Sequence, residues 1–231
     1  MGQTTKQRVF LFVHGAWGGG WEYAKIDSIL TENGDVVFRP TLTGLGERRH
    51  LADTEINLTT HVSDIVNLIK FENLHYIILI GHSYGGMVIS GVAEQVPERI
   101  KQLIYLDAFV PKNGESIKTI MDTALWKEVM SPMIKNGFIS YPFGNPNPGP
   151  PTDVPQPLKT FTETIRVTNA LVTKIPSTYI LMTKDGEAAF EGIGASRARE
   201  RGWKILFLEG GHYPMRDQPI ELVKKLDEVL K

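Results

Sequence analysis

The residues best suited to chemistry form the pentapeptide Gly81-His82-Ser83-Tyr84-Gly85, a G-x-S-x-G pattern. Many proteins carry the bare pattern, so its setting decides its meaning. It directly follows the apolar run Tyr76–Ile80 and opens a helical stretch near Gly86, the strand–turn–helix context that makes such a serine a nucleophile. On a turn this sharp, Ser83 takes a strained conformation, and side chains at 81 and 85 would strike the neighbouring strand and helix. The helix behind the turn aims amide hydrogens at any negative charge developing in front of Ser83. The plainer alternative is a structural turn with an N-cap serine.

A serine hydroxyl needs a base to become a nucleophile. His212, in Gly210-Gly211-His212-Tyr213, sits just past the last apolar run, Ile205–Leu208, on the carboxyl edge that also carries Ser83. His82 adjoins the nucleophile, but its side chain should leave the turn in another direction. His50, His61 and His75 read as solvated or packed. An acid that orients the base should fall between the serine and the histidine in chain order. Asp185 and Asp107 both end apolar runs on the correct edge, with Glu187 a weaker third. Asp107 could instead bind loop backbone and shape the pocket wall. The negative charge of a tetrahedral intermediate needs two amide donors. Tyr84, next to the nucleophile, supplies one. The other is expected from the glycine-rich segment after the first apolar run, His14-Gly15-Ala16-Trp17-Gly18-Gly19-Gly20-Trp21, with Ala16 as donor and His14 as a brace. No G-x-G-x-x-G turn with a ribose-binding acid is found, which argues against a dinucleotide.

These residues need a scaffold that brings strand ends to one edge. Val9–Val13, Val36–Phe38, Tyr76–Ile80, Leu103–Leu106, Thr178–Met182 and Ile205–Leu208 are continuously apolar, as strands covered on both faces must be. Helical stretches lie between them: Trp21–Glu32, Thr60–Glu72, Gly86–Gln95, Ala188–Arg201 and Ile220–Leu230. The alternation predicts an open, predominantly parallel six-stranded α/β sheet with helices on both faces, in one domain over 1–231. It breaks over residues 111–174, where Pro142 to Pro157 holds seven of the fourteen prolines. Neither a helix nor a central strand can run through that segment. A small cap inserted into the domain explains it better than a linker, because the later strands resume the same pattern. Trp126 and Met130, with Trp17 below, could line a substrate pocket, or the cap residues could serve only as the cap's own core.

Composition removes other classes. With 25 Lys and Arg against 26 Asp and Glu, the chain presents no basic field for nucleic acid or a membrane surface. The absence of cysteine excludes disulfides, thiol nucleophiles and cysteine-held metals. Neither end reads as a targeting segment, and no run nears the ~20 apolar residues of a membrane helix. A cytoplasmic protein, monomer or homodimer, is the default expectation.

Taken together, HGAWGGGW, TLTGLGER (Thr41–Arg48), GHSYGG, LDAFVP (Leu106–Pro111) and GGHYPMRDQP (Gly210–Pro219) resemble the α/β-hydrolase superfamily. Within it they resemble bacterial esterase-like members related to plant methyl-ester esterases and hydroxynitrile lyases. The resemblance spans the chain outside the cap and implies a cofactor-free Ser-His-Asp hydrolase, without the family's two leading strands. It favours Asp185 over Asp107, since the family's acid usually follows the second strand beyond the nucleophile. The lyase branch carries a threonine and a lysine where this chain has Gly15 and Tyr213, so ester cleavage is preferred to cyanohydrin cleavage. Epoxide hydrolases and dehalogenases of this fold use aspartate at the Ser83 position. The expected substrate is a small to medium, uncharged carboxylic ester. A lyase or carbon–carbon hydrolase on the same triad, and a non-catalytic small-molecule binder, stay as alternatives.

Overall fold

The computed structural model describes residues 7–144, 147–184 and 188–231. Six strands form one sheet: β1 (Val9–Val13), β2 (Val36–Phe38), β3 (Ile77–His82), β4 (Ile100–Leu106), β8 (Ser177–Thr183) and β9 (Lys204–Glu209). Their order is β2-β1-β3-β4-β8-β9, and every pairing is parallel. The three remaining strands, β5 (Ile134–Lys135), β6 (Phe138–Ile139) and β7 (Gln156–Pro157), make a small antiparallel sheet between β4 and β8 in the chain.

The central strands are apolar throughout because both faces are covered. Phe10, Phe12, Ile78, Ile80, Ile104, Leu106 and Ile180 face one way. There they pack against α1 (Ala24–Glu32) and α9 (Pro219–Val229) through Ile26, Leu30, Leu222 and Leu226. Leu11, Val13, Leu79, Leu103 and Leu181 alternate to the other face, under α2 (Leu58–Phe71) and α3 (Gly85–Gln95). Each fully buried Leu or Ile contributes about 1.5–3 kcal/mol relative to exposure. The face of α2 expected from the spacing of Val62, Ile65, Val66 and Ile69 is the buried one. That helix starts two residues early, at Leu58, because Asn57 accepts the Thr60 amide in a capping box.

Two boundaries differ from expectation in ways that bear on the site. Strand β3 continues to His82, pairing Gly81 with Tyr105 and His82 with Leu106, so the ladder runs up to Ser83 itself. The stretch read as a helix over 188–201 is a π turn, Glu191–Ala195, followed by the short α7 (Ser196–Glu200). Gly194 there has no room for a side chain against the Tyr179 hydroxyl.

Residues 111–174 leave the sheet after β4 and return before β8. This excursion holds α4 (Ile117–Ile120), α5 (Thr123–Leu125), α6 (Lys159–Thr162) and the small sheet. Pro157 lies in β7, at the edge of that sheet, where a missing amide hydrogen breaks no ladder. The last short helix, α8 (Pro214–Asp217), follows the His212 loop and leads into α9.

Candidate active site

Ser83 sits between β3 and α3 at φ 52°, in the left-handed region that a side chain normally avoids. The surrounding backbone enforces this. A Cβ on Gly81 would lie 2.6 Å from the Gly85 carbonyl, and one on Gly85 would lie 2.5 Å from the Val13 carbonyl. The Ser83 amide donates to Leu106, and the Ser83 carbonyl accepts from Phe109. Strand β4 and the segment after it therefore hold the turn.

His212 follows β9, with its side chain 28% exposed. Its Nδ1 lies 2.6 Å from Oδ2 of Asp107. The ring stacks on Phe190 at 4.7 Å and lies 4.4 Å from the His82 ring. With Nδ1 donating to a carboxylate, Nε2 is left as the nitrogen able to accept a proton. Asp107, at the end of β4, also has a positive φ, 43°. Its amide donates to Ile180, and its Oδ1 accepts the Met182 amide at 3.1 Å. Strand β8 thus orients the carboxylate without supplying it. The Tyr179 hydroxyl braces the next residue, bonding both the amide and the carbonyl of Ala108 at 2.9 Å.

The resemblance favoured Asp185; the carboxylate found on His212 is that of Asp107, the other candidate. Asp185 and Glu187 lie outside the described residues. The backbone-binding role foreseen for Asp107 is also present, because its two oxygens do separate work.

The glycine loop lies over the serine turn. A Cβ on Gly15 would fall 3.2 Å from the Ser83 Cβ and 2.9 Å from Nδ1 of His82. His14 braces the loop: its Nδ1 bonds the Gly15 carbonyl at 2.7 Å, and its Nε2 accepts the Leu42 amide at 3.1 Å. Burial lowers His14 to about 4, so it is neutral. Ala16 is 7% exposed. Trp17, at φ 64°, is tied to the excursion: its amide donates to Gln156 Oε1 and its indole to the Ile139 carbonyl. Tyr141, Phe143 and Phe161 surround the Trp17 ring. Met130 is buried in the main apolar cluster, and the half-buried Trp126 packs against it.

Tyr84 is fully buried. Its hydroxyl donates to Nδ1 of His61 at 2.8 Å, while His61 Nε2 donates to the Thr43 carbonyl. His61 is therefore packed and neutral, lowered to about 4 by burial. His82 is buried too, and its Nε2 donates to the His212 carbonyl at 2.7 Å. Sequence reasoning missed Gln156 and Tyr179, whose partners lie 71 or more residues away, and Phe190, which opens an irregular turn. Nothing in the spacing of such contacts announces them. Among the described residues, no group of three or more His, Cys, Asp or Glu side chains could hold a metal ion. Nor, among those residues, is any helix long and apolar enough to cross a membrane.

A strained serine at a strand–helix turn, a histidine from the last strand and a carboxylate on that histidine define a class of enzyme. Residues 10–225 match the alpha/beta hydrolase family, and the chain belongs to it. It is 35% identical to a carbendazim hydrolyzing esterase from Nocardioides sp. (strain SG-4G), over 94% of this chain and 97% of that one. Methylesterase 1 of Arabidopsis thaliana is 27% identical over 53% of this chain and 47% of its own length. An extracellular alpha/beta-hydrolase from a Paenibacillus species shares the fold, with a TM-score of 0.82 at 23% identity over 96% and 98% of the two chains. The chain is an esterase-like α/β-hydrolase.

Proposed function

We propose that the protein hydrolyses a small to medium, uncharged carboxylic ester through a Ser83–His212–Asp107 triad. His212 Nε2 takes the Ser83 proton as the hydroxyl oxygen attacks the ester carbonyl, and Asp107 holds the imidazole tautomer and stabilises its cation. The oxygen of the tetrahedral intermediate is held by the Ala16 and Tyr84 amides, each worth about 3–4 kcal/mol by comparison with other such donors. The protonated imidazole then returns its proton to the departing alcohol. Water, activated by the same Nε2, releases the carboxylic acid from Ser83.

The observation that carries this reading is the 2.6 Å contact between His212 and Asp107, beside a serine held at positive φ. Gln156 supports the assignment of Ala16, because it takes up the Trp17 amide and leaves the preceding one as the loop's donor. The relatives' names, an esterase and a methylesterase, agree with ester cleavage. Tyr213 stands directly after the base, so no lysine at that position is available to neutralise a departing cyanide.

The test is hydrolysis of p-nitrophenyl acetate and butyrate by purified Ser83→Ala, with fluorophosphonate labelling of the parent protein. The expected result is loss of at least about 10³-fold in kcat and labelling only when Ser83 is present. Hydrolysis by Ser83→Ala at the parent rate would remove the assignment.

A further inference from the structure

Three charged groups beside the site have no part in the acyl-transfer steps. Glu22 lies in the 3-10 turn Gly20–Tyr23, at the end of the glycine loop, with its side chain 1% exposed. Its Oε1 pairs with Nη2 of Arg216, which sits in α8 four residues after His212. The same Nη2 lies 3.3 Å from Oδ1 of Asp153, in the excursion. Trp21 and Tyr213 pack against the guanidinium, their ring centroids 4.6 and 4.5 Å from its central carbon. Gly18 closes over Glu22, where a Cβ would come within 2.6 Å of the carboxylate. One side chain thus joins the oxyanion loop, the histidine loop and the excursion.

The arrangement costs stability. Burial pushes the Glu22 carboxyl up to about 7 against the pull of Arg216, and Glu22 Oε2 and Arg216 Nε are buried without hydrogen-bond partners. A core built only for stability would do as well or better with apolar residues in these places. The two arms are also unequal. Glu22 is the closer and deeper partner, whereas Asp153 is 11% exposed and at the longer distance. Next to Asp153, Val154 donates its amide to the Trp17 carbonyl at 2.9 Å. A cavity of about 450 Å³, lined by Trp21, Glu47, Arg49, Pro151, Thr152 and Val154, opens at this seam.

We propose that Arg216 is a positioning residue that couples the seating of the excursion to the two catalytic loops. Its Glu22 arm keeps the oxyanion loop and the His212 loop in fixed relation. Its Asp153 arm seats the excursion over substrate and is the one that releases. This inference rests on the ester-hydrolase reading of Ser83 and extends it to how the substrate is held.

Both carboxylates meet the single Nη2 at the tip of the arginine, which carries a hydrogen for each, whereas a lysine ends one bond short of that atom and presents a point charge. Arg216→Lys should therefore keep the Glu22 arm and lose the Asp153 arm. Expected for both Arg216→Lys and Asp153→Ala is a KM for p-nitrophenyl butyrate raised about five- to tenfold, with kcat within about twofold. Thermolysin should cleave the 141–157 stretch of the intact chain several times faster in both variants. Adding Asp153→Ala to Arg216→Lys should change nothing further. Glu22→Gln should instead lower kcat about tenfold with little change in KM. Independent effects of Arg216→Lys and Asp153→Ala, or unchanged KM and cleavage in both, would overturn the proposal. Parent-level hydrolysis by Ser83→Ala would defeat the ester-hydrolase reading, and the thermolysin arm would still judge the Arg216 coupling.

Discussion

His82 Nε2 donates to the main-chain carbonyl of His212 across 2.7 Å, although 130 residues separate them in sequence. The neighbour of Ser83 thereby fixes the backbone that presents the His212 ring. The His82 ring does this as a neutral donor, because burial and the adjacent His212 ring hold its pKa well below the usual histidine range. His82→Phe keeps an aromatic ring and removes the donor, leaving a carbonyl unpaired at a cost of about 1–3 kcal/mol. The expected outcome is a melting temperature lowered by about 2–10 °C and a kcat reduced about tenfold or more, with KM little changed. Calorimetry and steady-state kinetics on the same preparation check both.

Asp107 and Asp185 can be separated directly. Asp107→Asn removes the carboxylate that sets the His212 tautomer, and loss of such a partner costs on the order of 10⁴ in kcat. Asp185→Asn should stay within about threefold of the parent. Kinetics of the two purified variants on one ester decide the matter; the reverse ranking would return the acid role to Asp185.

Much of this architecture was legible because buried parallel strands leave an unmistakable sequence trace. Val9–Val13 was readable to the residue, and the serine turn announced itself through Gly81 and Gly85. The carboxylate beside His212 was harder. Asp107 and Asp185 both follow apolar runs, and what turns Asp107 toward His212 is its positive φ and the Met182 amide reaching it from β8. Those are tertiary facts. Gln156 was hidden for another reason: it lies in a proline-rich stretch whose backbone has no period, yet its amide joins Trp17 to Thr160. Glu22 and Arg216 are 194 residues apart, and their pairing exists only in the fold, which buries Glu22 beneath Gly18.

The strain at Ser83 yields a prediction of its own. A non-glycine residue at φ 52° is destabilising by about 1–3 kcal/mol, and glycine avoids most of that cost. Ser83→Gly should therefore be inactive yet melt about 2–6 °C above Ser83→Ala. Equal melting temperatures would mean that the turn holds its serine without strain.

Acid should unfold this protein through its histidines rather than through its surface pairs. His14 and His61 are fully buried, each lowered by burial to about 4, and each has both ring nitrogens committed as one donor and one acceptor. An unfolded histidine protonates near 6.5, so between about 6.5 and 4 the unfolded chain binds protons that the folded chain refuses. Stability must fall as pH drops through that window, by up to about 3 kcal/mol per histidine, and the loss levels off below about 4. Glu22 acts in the opposite sense. Raised to about 7, its carboxyl is protonated in the folded protein before it is in the unfolded chain, so acidification from about 7 to 4.5 relieves part of its burial cost. With His82 lowered in the same sense, three histidines against one carboxyl leave a net loss. Urea midpoints at pH 7, 5.5 and 4.5 should decline accordingly. The decline should be steeper in Glu22→Gln, which removes the offset, and shallower in His61→Gln, which removes one of the groups that must be charged. A midpoint in His61→Gln that falls as steeply as in the parent would show that the Thr43–His61–Tyr84 chain does not control acid unfolding.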